Sequence, residues 1–579
     1  MKKHLIFYLI SMQVFLIHAQ TNLNVTNSVA DQVIKGNFDP LQFSSTNTVS
    51  DHQQMIQYLQ NSIEPDSLKA YIVKMATFHN RNTGSDTVST TTGIGAARRW
   101  AYGKFEQFSS ASENRLIPSY FQFDQTICSV TQHRNIIAVL PGSDVQDHEV
   151  IIIEGHIDSR CESSCDITCQ AHGIEDNASG SALVLELARV MSTFSYPKTI
   201  VFMLTIGEEQ GLYGANAFAL YCQTNTIPVK AVLNNDVIGG IICGNTSSAP
   251  SCPGVDYIDS TQVRIFSYGG FNSPHKQLAR FTKLQYKEEL LPNVNVPMLI
   301  SIMTPEDRSG RSGDHVPFRQ KSFTSCRFTS ANEHGNASNG AGYVDRQHTT
   351  NDILGVDTNA DLEIDSFFVD FNYLARNAAI NGTAAIVAAK GPKKPDFSVA
   401  TLTGPTIIIQ ITDQTQYANY RVGLRTLTND WDSVYTINGI LDTIYPPQAS
   451  NYIVSVASVD EFGMESLFSQ EINISDAQLS TEELSMNMDF PIQLLQNKPN
   501  PFDEATIIGV YVNGTFTYKK AWIQIEDEMG KELECIPITL HAEINEIQYE
   551  HGYGKTGTFI YSLIVDDIRI DSKRMVFAN

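Results

Sequence analysis

Five short segments of this chain carry side chains that bind metals or move protons. Gly155-His156-Ile157-Asp158-Ser159 sets a histidine and an aspartate two residues apart. On extended backbone such residues share a face. His156 can therefore offer a ring nitrogen to a metal while Asp158 orients the ring from its far nitrogen and fixes the tautomer. Gly173-Ile174-Glu175-Asp176-Asn177-Ala178-Ser179-Gly180 carries Asp176 just ahead of an apolar helical stripe. There a carboxylate caps a helix or bridges two metals with one oxygen on each. Gly207-Glu208-Glu209-Gln210-Gly211 follows an apolar run. Adjacent side chains on extended backbone diverge, so one glutamate can bind a metal while its neighbour stands over a metal-bound water as a base. Two unpaired acids at the end of a buried strand would otherwise be costly. Asn234-Asn235-Asp236-Val237-Ile238-Gly239 offers Asp236, and Arg346-Gln347-His348-Thr349-Thr350-Asn351-Asp352 offers His348. Each segment alone has an ordinary structural explanation. Together, two histidines and three carboxylates form a donor set suited to zinc.

Such residues act only if a scaffold gathers them. Ile136 to Leu140, Val150 to Ile153, Thr199 to Ile206 and Ala231 to Leu233 are short apolar runs that read as buried strands. Between the second and third, Leu183, Leu187, Val190, Met191 and Phe194 recur at helical spacing. Further helices are predicted from Asp66, where Leu68, Tyr71, Ile72 and Met75 recur, and around Ala97, Ala101, Phe105 and Phe108. Strands alternating with helices predict an α/β domain, a mostly parallel sheet flanked by helices, closing with an Ala-rich helix near Phe371 to Ala389. Open sheets of this kind place their sites beyond the carboxyl ends of strands. The first four segments follow or adjoin predicted strands, so they can converge on one crevice.

The rest of the chain bounds the reading. At 579 residues it holds about four folding units. A net charge of -23 repels a phosphate backbone, so no nucleic acid is expected as a partner. Met1-Lys2-Lys3, the apolar run Leu5 to Ile17 and then His18-Ala19-Gln20 read as a signal peptide over residues 1–19, cleaved near Ala19. That run is shorter than the roughly 20 residues needed to cross a bilayer, and no later run is long enough, so no membrane span is expected. Nine cysteines in an exported chain predict disulfides with at least one thiol left over. Cys243 and Cys252 flank a short loop and could pair; Cys161, Cys165 and Cys169 lie close together and read as disulfide formers rather than as a metal cluster. Residues 20–60 are polar and weakly patterned, either a propeptide or a ragged N-terminus. Lys390-Gly391-Pro392-Lys393-Lys394-Pro395 reads as a linker, and beyond it the texture turns to β-sandwich-like segments over 395–476 and 490–579.

The order His156, Asp176, Glu208-Glu209, Asp236, His348 resembles that of the metallopeptidase family 28 aminopeptidases, over residues 61–390. The resemblance implies two zinc ions per chain, one held by His156, Asp176 and Glu209 and the other by Asp176, Asp236 and His348. It implies that Glu208 activates the metal-bound water as general base and then acts as acid, that Asp158 supports His156, and that the substrate is a peptide with a free N-terminus, cut at its first bond. Ser312-Gly313-Asp314-His315-Val316-Pro317-Phe318 is similar to a further part of the family pattern and puts His315 behind the ligands. Val237 departs from the methionine often found there, and the loop from Cys161 to Cys169 is unusual. Tyr452 to Asp460, with Gly463 and Ser466, resembles the end of a fibronectin type III domain. Gln496-Asn497-Lys498-Pro499-Asn500-Pro501-Phe502 resembles the opening of the C-terminal sorting domain of the type IX secretion system, which implies secretion machinery as a partner and a secreted or cell-surface destination. A glutaminyl-peptide cyclotransferase of related fold, which uses one zinc, is the nearest rival. Carboxypeptidase activity also occurs among relatives. A catalytically dead surface-binding protein would have lost ligands, and a serine hydrolase would need a Gly-x-Ser-x-Gly elbow that the α/β region lacks.

Overall fold

The computed structural model describes residues 20–242, 257–308, 311–332, 346–402, 406–426, 428–446, 452–474, 492–502, 505–512, 518–527, 531–541, 543–551, 556–566 and 568–578. The expected signal peptide and the proposed Cys243–Cys252 pair lie outside these residues. The chain forms two compact units, one running to Pro395 and adding Tyr417–Arg421 and Val456–Gln470, the other made of the remaining C-terminal segments.

The first unit is built on a nine-stranded sheet of β1 (Thr21–Val25), β2 (Ile117–Ile127), β3 (Val130–Leu140), β4 (Val150–His156), β5 (Thr199–Thr205), β6 (Val229–Asn235), β7 (Gln262–Phe266), β8 (Leu299–Ile302) and β9 (Ser325–Ser330), in the order β1-β2-β3-β5-β4-β6-β9-β7-β8. The centre, β5-β4-β6-β9, is parallel, and so is the edge pair β7-β8. Antiparallel pairings of β1 with β2, β2 with β3, β3 with β5 and β7 with β9 make the whole sheet mixed. One of these antiparallel departures from a mostly parallel sheet, β2 with β3, has a local cause. The two-residue turn Cys128–Ser129, both at positive φ, folds β2 onto β3 as a hairpin, and hairpins are antiparallel by construction. The central strands are buried on both faces: every residue of β4 and β5 is buried. That is why they read as continuous apolar runs rather than alternating ones.

The flanking helices are α1 (Ser28–Ile34), α2 (His52–Ser62), α3 (Pro65–Ala76), α4 (Gly93–Ala111), α5 (Ser179–Met191), α6 (Tyr213–Thr224), α7 (Pro274–Gln285), α8 (His315–Gln320) and α9 (Phe371–Lys390). The weakly patterned segment 20–60 is integrated here. It supplies edge strand β1, and Val25, Ala30, Val33, Ile34, Met55, Ile56 and Leu59 are buried in the common core. Its apolar residues are sparse because each element buries only one narrow face. Among the described residues no helix is long and apolar enough to cross a membrane. Cys128 pairs with Cys165 and Cys161 with Cys169, while Cys222, Cys326 and Cys535 are free thiols.

Beyond Pro395 the chain is strand-rich. Phe397–Leu402, Thr406–Ile411 and Leu441–Ile444 form a three-stranded sheet, and Ser433–Asn438, Asn419–Arg425, Tyr452–Val459 and Ile472–Ile474 a four-stranded one. A second such pair of sheets spans Ile492–Leu494 to Ile568–Phe577. It encloses its own core, with Leu494, Ile508, Val510, Ile523, Tyr561 and Met575 at the centre.

Candidate metal centre

The sheet delivers the candidate residues at the carboxyl ends of its central strands. His156 is the last residue of β4 and pairs in register with Thr205, the last of β5. Glu154 pairs with Asn234, so Asp236, one residue past β6, stands level with His156. Two glycines let the next element close in. A Cβ on Gly180 would lie 2.1 Å from the Asn235 carbonyl, and one on Gly155 would lie 2.9 Å from the same atom. Without side chains there, the first turn of α5 seats directly on β4 and β6. That contact lowers the segment carrying Asp176 onto His156 and Asp236. Asn177 stitches it down: its Oδ1 accepts from Gly180 N at 2.9 Å and Val237 N at 3.2 Å, and its Nδ2 donates to Asn235 O at 2.9 Å. From the other side, the Asp352 carboxylate accepts from Glu175 N at 2.9 Å and Asp176 N at 3.0 Å. The Asp176 carboxylate does not cap α5, which begins without a side-chain cap.

The two oxygens of Asp176 face two different histidines. Oδ1 lies 3.1 Å from His156 Nε2 and Oδ2 lies 3.0 Å from His348 Nε2. Asp236 Oδ1 stands 3.3 Å from His156 Nε2, and Glu209 Oε2 stands 3.3 Å from His348 Nε2. Two groups of ligand atoms result, His156–Asp176–Asp236 and Asp176–Glu209–His348, each with all its atoms within 4.8 Å of one another. This differs from the pairing expected from the sequence, which put Glu209 with His156 and Asp236 with His348. The cause is strand register. Asp236 leaves its strand at the level of His156, whereas Glu209 lies four residues beyond Thr205, past the turn that Gly207 makes at φ +75. That turn, held by the bond from Gly207 N to Thr83 Oγ1 at 2.8 Å, carries Glu209 outward toward His348. Asp158 is in place beside His156, but the nearest partner of Nδ1 is the Asp158 carbonyl at 3.1 Å, with the carboxylate at 3.5 Å. Both His348 and Val237, the residue after Asp236, hold positive φ, at 59 and 56. That region is costly for such residues and is met at functional sites.

The donor chemistry fits zinc. Both histidine nitrogens and three carboxylates converge, and Glu209 Oε1 is buried with no hydrogen-bond partner among the described residues, an atom that a cation would satisfy. Guanidinium groups back the two outer carboxylates. Arg327 NH2 is 3.1 Å from Asp236 Oδ2, and Arg160 Nε is 2.8 Å from Glu209 Oε2. Against the upward push of burial, Arg327 and His156 hold Asp236 below its ordinary range. Burial pushes Glu208 well above its ordinary range; His156 opposes this while Asp236, Glu209 and Asp314 add to it. Burial lowers His348 to about 4, Arg311 and Arg160 reinforcing it against Asp176. Near neutral pH that imidazole is uncharged and its lone pair is available.

Two positions with structural weight carried no signal in the spacing. Arg81 is fully buried beneath the site. It donates from Nε to Ile157 O at 2.7 Å, from NH2 to Gly173 O at 2.9 Å and from NH1 to His172 O. It thereby clamps the backbone after His156 to the backbone before Asp176. Asp352 was legible only as the end of the His348 segment. His315 lies behind the ligands: its Nε2 meets the Glu306 carbonyl at 3.2 Å. Its neighbour Asp314 accepts from the Thr205 hydroxyl.

Residues 135–364 match the family described as Peptidase family M28. A probable zinc metalloprotease of Leptosphaeria maculans is 30% identical over 424 residues, which span 70% of this chain and 94% of that protein. A probable zinc metalloprotease of Pyricularia oryzae is 32% identical over 351 residues, 58% of this chain and 66% of that one. Among solved structures, the LapA aminopeptidase of Legionella pneumophila aligns over 60% of this chain and 78% of its own at 18% identity, with a TM-score of 0.42.

Proposed function

The chain belongs to peptidase family M28, and from that premise we propose that it is a secreted zinc aminopeptidase with two zinc ions per chain. One ion is assigned to His156, Asp176 and Asp236, the other to Asp176, Glu209 and His348. The observation that carries the reading is Asp176, whose two oxygens face one histidine each at 3.1 and 3.0 Å. A one-metal site, as in a cyclase, has no use for the second group. The relatives named as zinc metalloproteases support the choice of ion.

Zinc held there supplies a lowered pKa for a water, to about 7, and polarisation of the scissile carbonyl. The chain's own residues do the remainder. The Asp158 carbonyl holds His156 Nδ1, which leaves Nε2 as the donor atom. Arg327 neutralises and orients the outer oxygen of Asp236, Oδ2, while Arg160 binds Glu209 through Oε2, the oxygen that also faces His348. Glu208, beside Glu209 and half-buried, takes the proton of the attacking water and hands it to the leaving amine. The C-terminal strands over 395–476 and 490–579 are read as a fibronectin type III-like module and a type IX sorting domain, on the motifs quoted above.

A mass-spectrometric time course on a free peptide and its N-acetylated counterpart tests the activity. The reading expects loss of single residues from the free N-terminus and resistance of the acetylated peptide. Internal fragments, a C-terminal ladder, or loss of ammonia alone from N-terminal Gln would each replace it.

A further inference from the structure

The group beside the second ligand set that the mechanism leaves partly unused is Arg160. It sits on the loop that follows the His156 segment, next to Cys161. The Cys161–Cys169 and Cys128–Cys165 bonds tie this loop at two points, and Gln210 Nε2 donates to Ser164 O at 3.0 Å. Three polar contacts hold the guanidinium in place. Its Nε donates to Glu209 Oε2 at 2.8 Å, its NH1 to Glu162 O at 3.2 Å, and its NH2 meets His348 Nδ1 at 2.6 Å. The side chain keeps 12% of its surface exposed, enough for a ligand to reach it. Arginine carries five N–H donors, so three contacts do not exhaust it.

The contact with His348 adds a stronger argument. Arginine has no acceptor, so the 2.6 Å contact requires Nδ1 to accept. A histidine that gives its Nε2 lone pair to a metal carries its ring proton on Nδ1 and can no longer accept there. With zinc on His348, the Arg160 NH2 therefore needs a different acceptor. Its planar fork is matched best by a carboxylate. Arg311 adds a second guanidinium, with NH1 3.3 Å from His348 Nε2 and NH2 donating to Gln347 Oε1 at 2.8 Å, so two guanidinium groups stand beside this histidine.

In a dipeptide the terminal carboxylate carbon stands only about 3–4 Å from the scissile carbonyl carbon. Arg160 touches both His348 and Glu209, and so lies within one side chain of the ion they would hold. We propose that Arg160 binds the C-terminal carboxylate of short substrates, which makes this enzyme favour dipeptides over longer or amidated peptides. The proposal rests on the aminopeptidase reading, and its test separates the two.

The test compares a dipeptide with its C-terminal amide, in wild type, Arg160→Gln and Arg160→Lys, each with its zinc content measured. In wild type the free acid should have a kcat/KM about 10- to 100-fold higher, the range of a charge-assisted hydrogen bond. In Arg160→Gln this ratio should fall toward one, and Arg160→Lys should retain part of it. Calorimetry with reduced-bond analogues of the same two compounds should show the same ratios in Kd without turnover. Equal handling of acid and amide by wild type overturns the proposal, as does an unchanged ratio in Arg160→Gln. Should that variant fail to fold, the wild-type ratio and Arg160→Lys still decide. Hydrolysis of neither compound would sink the aminopeptidase reading instead, and the binding ratios would then judge Arg160 alone.

Discussion

Replacing Asp352 by asparagine probes how the Asp176 segment is held. The carboxylate accepts from two adjacent backbone amides, Glu175 N and Asp176 N, at 2.9 and 3.0 Å. Asparagine keeps one acceptor oxygen and turns its NH2 toward the second amide, so one bond becomes a meeting of two donors. Losing a bond to a charged acceptor costs about 1.5–3 kcal/mol. Part of this is offset, because burial already pushes the Asp352 carboxyl up to about 7, and a neutral amide is spared that burial of charge. The stability loss in metal-free protein should therefore be modest, about 1–2 kcal/mol after that offset. Zinc affinity has no such offset, since the segment that loosens carries the shared ligand. Outer contacts of this kind are typically worth about 10- to 100-fold in metal affinity. The assay is competition for zinc against a chromophoric chelator, alongside urea unfolding in EDTA. Asp352→Asn with wild-type zinc affinity would refute the reasoning that backbone contacts to Asp352 position Asp176.

Two further outcomes follow from other parts of the chain. Glu465 is buried against Gln285, whose Nε2 donates to it at 2.8 Å, and burial raises it from 4.5 to about 7. Its folded form binds the proton more tightly, so this contribution to stability is complete below about pH 4.5 and is lost as pH rises through 7. Glu465→Gln should then be up to about 3 kcal/mol more stable than wild type at pH 8 and nearly equal to it at pH 4; parallel urea curves at both pH values would count against it. Deleting residues 490–579 should block export while leaving hydrolysis intact, and equal appearance of full-length and shortened chains in the medium would end the sorting reading.

The site was legible where chemistry and fold speak through the same few residues. His156, Asp176, Glu208-Glu209 and Asp236 each follow or adjoin a predicted strand, and the strands around them form as apolar runs because β4 and β5 are buried on both faces. α5 carries its predicted apolar stripe, and α9 covers the segment expected as an Ala-rich helix. What sequence did not yield depends on contacts between distant segments. Which acid meets which histidine is set by the register of β4 against β5 and β6, whose paired residues His156 with Thr205 and Glu154 with Asn234 are distant in sequence, and no local pattern encodes such a register. Arg81 works by donating to backbone carbonyls at Ile157, His172 and Gly173, and a carbonyl has no sequence signature. The Cys128–Cys165 pair joins a hairpin turn to a loop 37 residues away, so the close spacing of Cys161, Cys165 and Cys169 did not say which of them pair or with what.

The most direct test of the two-metal account is a metal count on purified protein, taken together with turnover, for wild type and Glu208→Gln. Both should hold two zinc ions per chain if each of the two groups sharing Asp176 takes one, as proposed, while Glu208→Gln should lose about 10²–10⁴-fold in kcat. A fully active wild type holding one zinc or none, or Glu208→Gln with near-normal turnover, would contradict it.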